Sequence, residues 1–181
     1  MNIFYLDENP KIAAEQHMDK HVVKMVLEYC QLLSTAHRVC DGEPVPDFTR
    51  TGRKTTRFIL PDSREKIIYQ TTHMHHPSTV WTRTSKTNYE WLYSLLTALN
   101  SEYTYRYVKT HKLASDGLIG ALRTPPANIP DDDFTEPTPA MPDEYKVENN
   151  SLQSYRQYYK YGKAHLATWS KRTAPEWWDK V

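Results

Sequence analysis

The sequence predicts a mostly α fold, a compact single-domain helical fold wrapped by a long Pro-rich loop. Three observations predict it. Apolar residues recur at helical spacing over residues 87–109, where Leu92, Leu95, Leu96, Leu99 and Tyr103 share one face. Helix-start signals stand at Asn9-Pro10 and Asn150-Ser151, because a capping oxygen accepts from the first free N–H groups and proline loses nothing at the first helical position. Six of the twelve prolines fall between Pro125 and Pro142, interleaved with Asp131, Asp132 and Asp133, a composition that bars regular helix or central strand there.

Taken in order, the first helix is expected from Pro10 to about His37, bent near His17 to Asp19. Residues 39–55 carry Gly42, Pro44 and Pro46 and read as a loop. A short helix near 62–70 follows, another start is signalled at Pro77, and the long helix runs from about Thr87 to Lys109. The acidic Pro-rich segment 124–149 reads as an ordered wrapping loop, and a last helix resumes at Ser151 and runs through the tyrosine-rich stretch to Arg172. At 181 residues the chain fits one domain, 1–181, large enough to bury a core without cross-links.

Cys30 and Cys40 form neither a disulfide framework nor a CxxC pair. No apolar run reaches the length of a signal peptide or a membrane span, so a cytoplasmic location is expected, with no membrane partner. The formal net charge is only +1, but the charge is unevenly spread. Residues 113–150 hold 2 Lys+Arg against 8 Asp+Glu, whereas residues 48–86 hold eight basic side chains, Arg53, Lys54, Arg57 and Arg83 among them, against two acids. A phosphate-binding face can be built from such a segment.

At 100° per residue, His17, His21, Lys24, Glu28, Gln31 and Thr35 form one polar stripe on the first helix, while Val22, Val23, Met25, Val26, Leu27, Cys30, Leu32 and Leu33 cover the other directions. A narrow ionisable stripe on a helix packed elsewhere is expected to line a cleft. The alternative is a solvated face with a Lys24–Glu28 pair. His17 and His21 are spaced for one metal ion, but the residues between them lack the glutamate of an HExxH protease. His73, His75 and His76 cluster before Pro77. Tyrosines interleaved with cations, as in Tyr155 to Lys163, suit base stacking beside phosphate contacts.

These residues also carry a resemblance. Asp19-Lys20-His21-Val22-Val23 followed by Glu28, the opening Met1-Asn2-Ile3-Phe4-Tyr5-Leu6 with Pro10-Lys11, His76-Pro77 ahead of a helix ending in Glu102 and Arg106, and Tyr158-Tyr159-Lys160-Tyr161-Gly162-Lys163 occur in the order of landmarks in the phage and bacterial pyrimidine-dimer DNA glycosylase and AP lyase family, often called endonuclease V. The resemblance implies a compact helical fold, DNA or nucleotide as substrate, no cofactor and no metal. It implies a catalytic Glu28 with His21 and Lys24 beside it, and the Met1 α-amine as nucleophile at the sugar C1′. His17, Gln31, Arg53, Lys54, Arg57, His76, Arg83, Arg106, Tyr159, Tyr161 and Lys163 become candidate substrate-binding residues. The chain departs from the family where arginines flank the glutamate, since Leu27 and Gln31 stand there, and Asn2 is bulky enough that Met1 is expected to remain. Two other functions fit the same residues: a metal-dependent phosphohydrolase or nucleotide hydrolase using His17, Asp19, His21 and the His73–His76 cluster, and a noncatalytic nucleic-acid- or protein-binding module.

Overall fold

A computed structural model describes residues 1–178. The chain enters through an extended segment whose Ile3, Phe4, Tyr5 and Leu6 are all buried. It continues through α1 (Pro10–Gln16), α2 (Asp19–Asp41), a hairpin of β1 (Glu43–Phe48) and β2 (Lys54–Ile59), and the helices α3 (Arg64–Ile67), α4 (Pro77–Thr82) and α5 (Lys86–Tyr107). Short helices α6 (Lys112–Ser115) and α7 (Leu118–Ala121) follow, and the strap over residues 122–150 leads to α8 (Ser151–Gln157). The fold is mostly α, and α1 and α2 both pack on α5. Leu92, Leu95, Leu96 and Leu99 meet Val22, Val26, Leu32 and Leu33 in one core, with no side-chain exposure at these positions.

The expected first helix is two. Asn9 caps α1 by accepting from the Lys11 N–H, and α1 stops at His17, where the backbone turns extended at φ −64°, ψ 136°. Tertiary partners satisfy the chain ends this break exposes. Arg106 donates to the carbonyls of Glu15 and His17, the Met18 N–H donates to the Tyr159 hydroxyl, and the Asp19 N–H donates to the Thr168 carbonyl. No local sequence signal could announce these bonds, because their partners lie more than 85 residues away.

The stretch 39–55, expected as a loop, instead contributes β1 and the start of β2. Pro44 pairs with Phe58 and Pro46 with Thr56. Two residues apart, both prolines present their nitrogens on the same edge of a two-stranded ribbon, where no ladder bond is lost. Gly52, at φ 78°, closes the turn by donating to the Thr49 carbonyl.

The last helix is also shorter than expected. After Gln157 the backbone widens into a π turn over Tyr158–Gly162. A Cβ at Gly162 would lie 2.5 Å from the Tyr158 ring, so glycine is what lets that ring lie back over the turn. The acidic strap is docked along its length. Lys86 N–H donates to the Pro130 carbonyl, Asn88 bonds both the N–H and the hydroxyl of Thr135, and the Trp81 indole donates to the Thr135 carbonyl.

Candidate functional site around Glu28

The site is assembled on the outer side of α2. Phe4 is pinned by its N–H, which donates to the Tyr29 hydroxyl, and its ring stacks on His21 at 4.4 Å with 16° between planes. This contact lays the N-terminal segment along α2. Glu28 is mostly covered, with its side chain 13% exposed, and Oε1 lies 2.9 Å from Nζ of Lys24, whose side chain is 66% exposed. The remaining wall comes from residues 69–76. Tyr69 accepts from Arg38, and Thr72 and Thr35 exchange hydrogen bonds through their main-chain and hydroxyl groups. Residues 69–76 therefore run back along α2 from its C-terminal end, which explains why Thr35 belongs to the polar stripe. At the end of this run His76 caps α4, its Nδ1 accepting from the Ser78 N–H.

Electrostatics ties these pieces together. Burial lowers the pKa of His76, the Met1 α-ammonium and His73 lower it further, and Glu28 acts in the opposite sense. His21 is held down to about 3, first by burial and then by His17, Lys163, Lys24 and His165. Lys163 itself lies over the Tyr158 ring at 4.9 Å, and that ring stacks at 6.5 Å on Phe4. Glu28 thus pairs with Lys24 one turn from His21, and His21 carries Phe4 on its face with Tyr158 and Lys163 stacked beyond it.

The neutral state of His21 is also fixed by hydrogen bonding. The buried Tyr159 hydroxyl accepts from the Met18 N–H, and His21 Nδ1, at 2.6 Å, is the hydrogen-bond partner left for its own proton. Nε2 then carries the ring's proton. A neutral imidazole with an N–H is a donor to a substrate oxygen rather than a base at that atom.

No protein-family model, curated protein or solved structure matches the chain. The site therefore rests on its own geometry.

Several expected binding residues lie elsewhere. His17 is fully buried, outside α2, with Nδ1 donating to the Ala13 carbonyl and Nε2 accepting from Tyr29, so neither nitrogen is free for substrate or metal. Arg106 is 4% exposed and clamps Glu102, Asp19 and the end of α1. Tyr159 is fully buried. These three hold the site's frame rather than its ligand, because each has its polar atoms engaged inside the core. Arg53 and Lys54 are exposed near the hairpin turn, and Arg57 pairs with Glu65. The hairpin springs from the far end of α2, thirteen residues past Glu28, or about 20 Å along a helix axis. Arg83 donates to the Thr79 carbonyl at the end of α4. Tyr161 is 58% exposed, with the Lys160 ammonium over its ring. Gln31, partly buried, lies one turn beyond Glu28.

His73 and His165 join the cluster although the stripe pattern could not single them out. They come from loops, where no periodicity reports direction. Among the described residues no three His, Cys, Asp or Glu side chains converge as a metal-holding group. No described helix is long and apolar enough to cross a membrane.

Proposed function

We propose that the protein is a DNA N-glycosylase acting on damaged or modified pyrimidines, with AP-lyase activity through the same amine. The observation that carries this reading is the packing of the N-terminal segment on α2, where Phe4 stacks on His21 at 4.4 Å on the helix that pairs Lys24 with Glu28.

In the proposed reaction the neutral Met1 amine attacks the sugar C1′. The C1′–N bond breaks, the bonding pair leaves with the base, and the base takes up a proton. The attacking amine sheds a proton, the C1′–O4′ bond then opens as O4′ takes up a proton, and the nitrogen lone pair closes the C1′=N iminium, which the Glu28 carboxylate stabilises while moving these protons. An α-amine suits the role because its ordinary pKa, about 8, leaves a useful neutral fraction at physiological pH. The His21 Nε2–H is a donor for a sugar or phosphate oxygen, and Lys24 and Lys163 are cations for flanking phosphates. Departure of the base requires the nucleotide to leave the stack.

The test is incubation with ultraviolet-irradiated and abasic duplexes, with borohydride added to trap the imine. The expected result is a covalent adduct whose modified residue is Met1, lost when the N-terminus is acetylated and reduced by roughly 10²–10⁴-fold in rate in Glu28→Gln. Absence of both scission and adduct with the intact protein would refute the reading.

A further inference from the structure

We propose that the β1–β2 hairpin is an arm that lies in the major groove of duplex DNA, with Arg50, Arg53 and Lys54 against guanine edges and phosphates. The inference goes beyond the glycosylase reading, because it concerns undamaged duplex and no chemical step. No side chain from Glu43 to Ile59 is buried, so the ribbon contributes nothing to the core. An isolated two-stranded ribbon is at best marginally stable in water, yet this one is held firmly at its root. Arg38, fully buried on α2, donates to the Phe58 carbonyl at 2.8 Å and to the Glu65 carboxylate, which also accepts from the Leu60 N–H and from Arg57. A buried guanidinium that fixes an element with no core of its own points to a surface role for that element.

The exposed part is chemically one-sided. Residues 48–57 are all exposed and hold four cations, four threonines and no acid. Arg57 is taken by Glu65, whereas Arg50, Arg53 and Lys54 form no ion pair among the described residues. Phe48, 61% exposed, stands directly opposite Lys54, and Pro46 opposite Thr56, so these four share one face of the ribbon. Six paired positions at about 3.4 Å each make the ribbon roughly 20 Å long, enough to reach the floor of a groove about 8.5 Å deep.

Three features select the occupant. The surplus of cations calls for a polyanion, and a charged tip makes a poor centre for a protein interface, whose core is depleted of charge. Pro44 and Pro46 leave the outer edge of β1 without N–H donors at those positions, which blocks a partner strand from adding there. The major groove admits a two-stranded ribbon, and it presents guanine O6 and N7 to arginine and the thymine methyl to threonine and phenylalanine. Those are the side chains that the arm carries.

The experiment measures binding of the intact protein to an undamaged, fluorescein-labelled duplex, together with footprinting by dimethyl sulfate, which methylates guanine N7 in the major groove. Wild type should protect guanines on the duplex. The variant Arg50→Ala/Arg53→Ala/Lys54→Ala changes only solvent-exposed side chains and should leave urea unfolding unchanged. It should raise Kd roughly 10-fold or more, abolish the protection, and make log K fall less steeply with log salt by about 0.9 for each phosphate contact removed. No guanine protection by wild type, or wild-type affinity and protection in the triple variant, would overturn the arm. Equal affinity of wild type for the single strand of the same sequence would show a contact that needs no groove and would also defeat it. Borohydride trapping on a single-stranded abasic oligonucleotide, run in parallel, reports the amine chemistry separately. Protection without trapping sinks the glycosylase reading and leaves the arm, and trapping without protection does the reverse.

Discussion

Lowering the pH from 7 to 5 should strip most of the stability from this fold, because three histidines are built into it as neutral donors and acceptors. His17 falls from 6.5 to about 4, chiefly through burial. His37 also falls from 6.5 to about 4 through burial, with Arg64 adding to the effect. His21 falls from 6.5 to about 3. Each is locked by a hydrogen-bond chain. Arg64 donates to His37 Nδ1, so His37 Nε2 donates to Tyr89, whose hydroxyl donates to the Leu122 carbonyl. Tyr29 donates to His17 and Tyr159 donates to His21. A second ring proton would meet a donor in every case. Because the folded values lie below the unfolded value, the unfolded chain binds the extra protons, and stability that is complete above about pH 6.5 is lost as the pH falls toward 4. At pH 5 an unfolded histidine is almost fully charged while the folded ones remain neutral, so each contributes a loss of about 2 kcal/mol. Three such losses approach the whole stability of an ordinary domain, about 5–15 kcal/mol. The window is separate from that of the carboxylates Asp19, Asp41 and Glu65, which their partners hold below 3.8, 3.8 and 4.5 respectively and which release their stabilisation only in stronger acid. Urea unfolding followed by tryptophan fluorescence at pH 7, 6 and 5 reads the effect directly. His37→Gln should remove one proton's share of the slope, about 1.4 kcal/mol per pH unit. A free energy of unfolding that changes by less than about 1 kcal/mol between pH 7 and 5 would refute the assignment of neutral buried imidazoles.

Other perturbations separate frame from chemistry. Arg106→Met leaves Glu102 and Asp19 without their buried partner and should cost about 3–5 kcal/mol in urea unfolding, although Arg172 still reaches Glu102. Glu28→Gln should leave unfolding within about 1 kcal/mol of wild type, since its lysine partner is largely in solvent, so lost trapping in that variant reports chemistry rather than collapse. Asn88→Ala removes the side chain that bonds Thr135 and the Trp81 carbonyl. Limited proteolysis should then cut within residues 122–142 faster than in wild type, and an unchanged digestion pattern would show that the strap is held without it.

The sequence by itself determined the mostly α class, the extent of α5 and its buried leucine face, the starts of α1, α4 and α8, and the irregular course of the proline-rich strap. Each of these follows from local physics, namely periodicity, capping and the missing N–H of proline, which act within a few residues. It also placed Lys24 and Glu28 on one stripe, because a single helix carries both. Tertiary structure alone decided that His17 leaves that stripe, since the break before Asp19 depends on Arg106, Tyr159 and Thr168. It decided that Arg106 and Tyr159 face inward as clamps, that Pro44 and Pro46 sit in a ribbon, and that the tyrosine-rich stretch winds as a π turn. It also stacked Phe4 on His21, with Tyr158 and Lys163 beyond it, from segments far apart in the chain. Those placements are set by bonds between residues far apart in the chain, and no pattern read along the chain reports which distant partner will satisfy a given polar group.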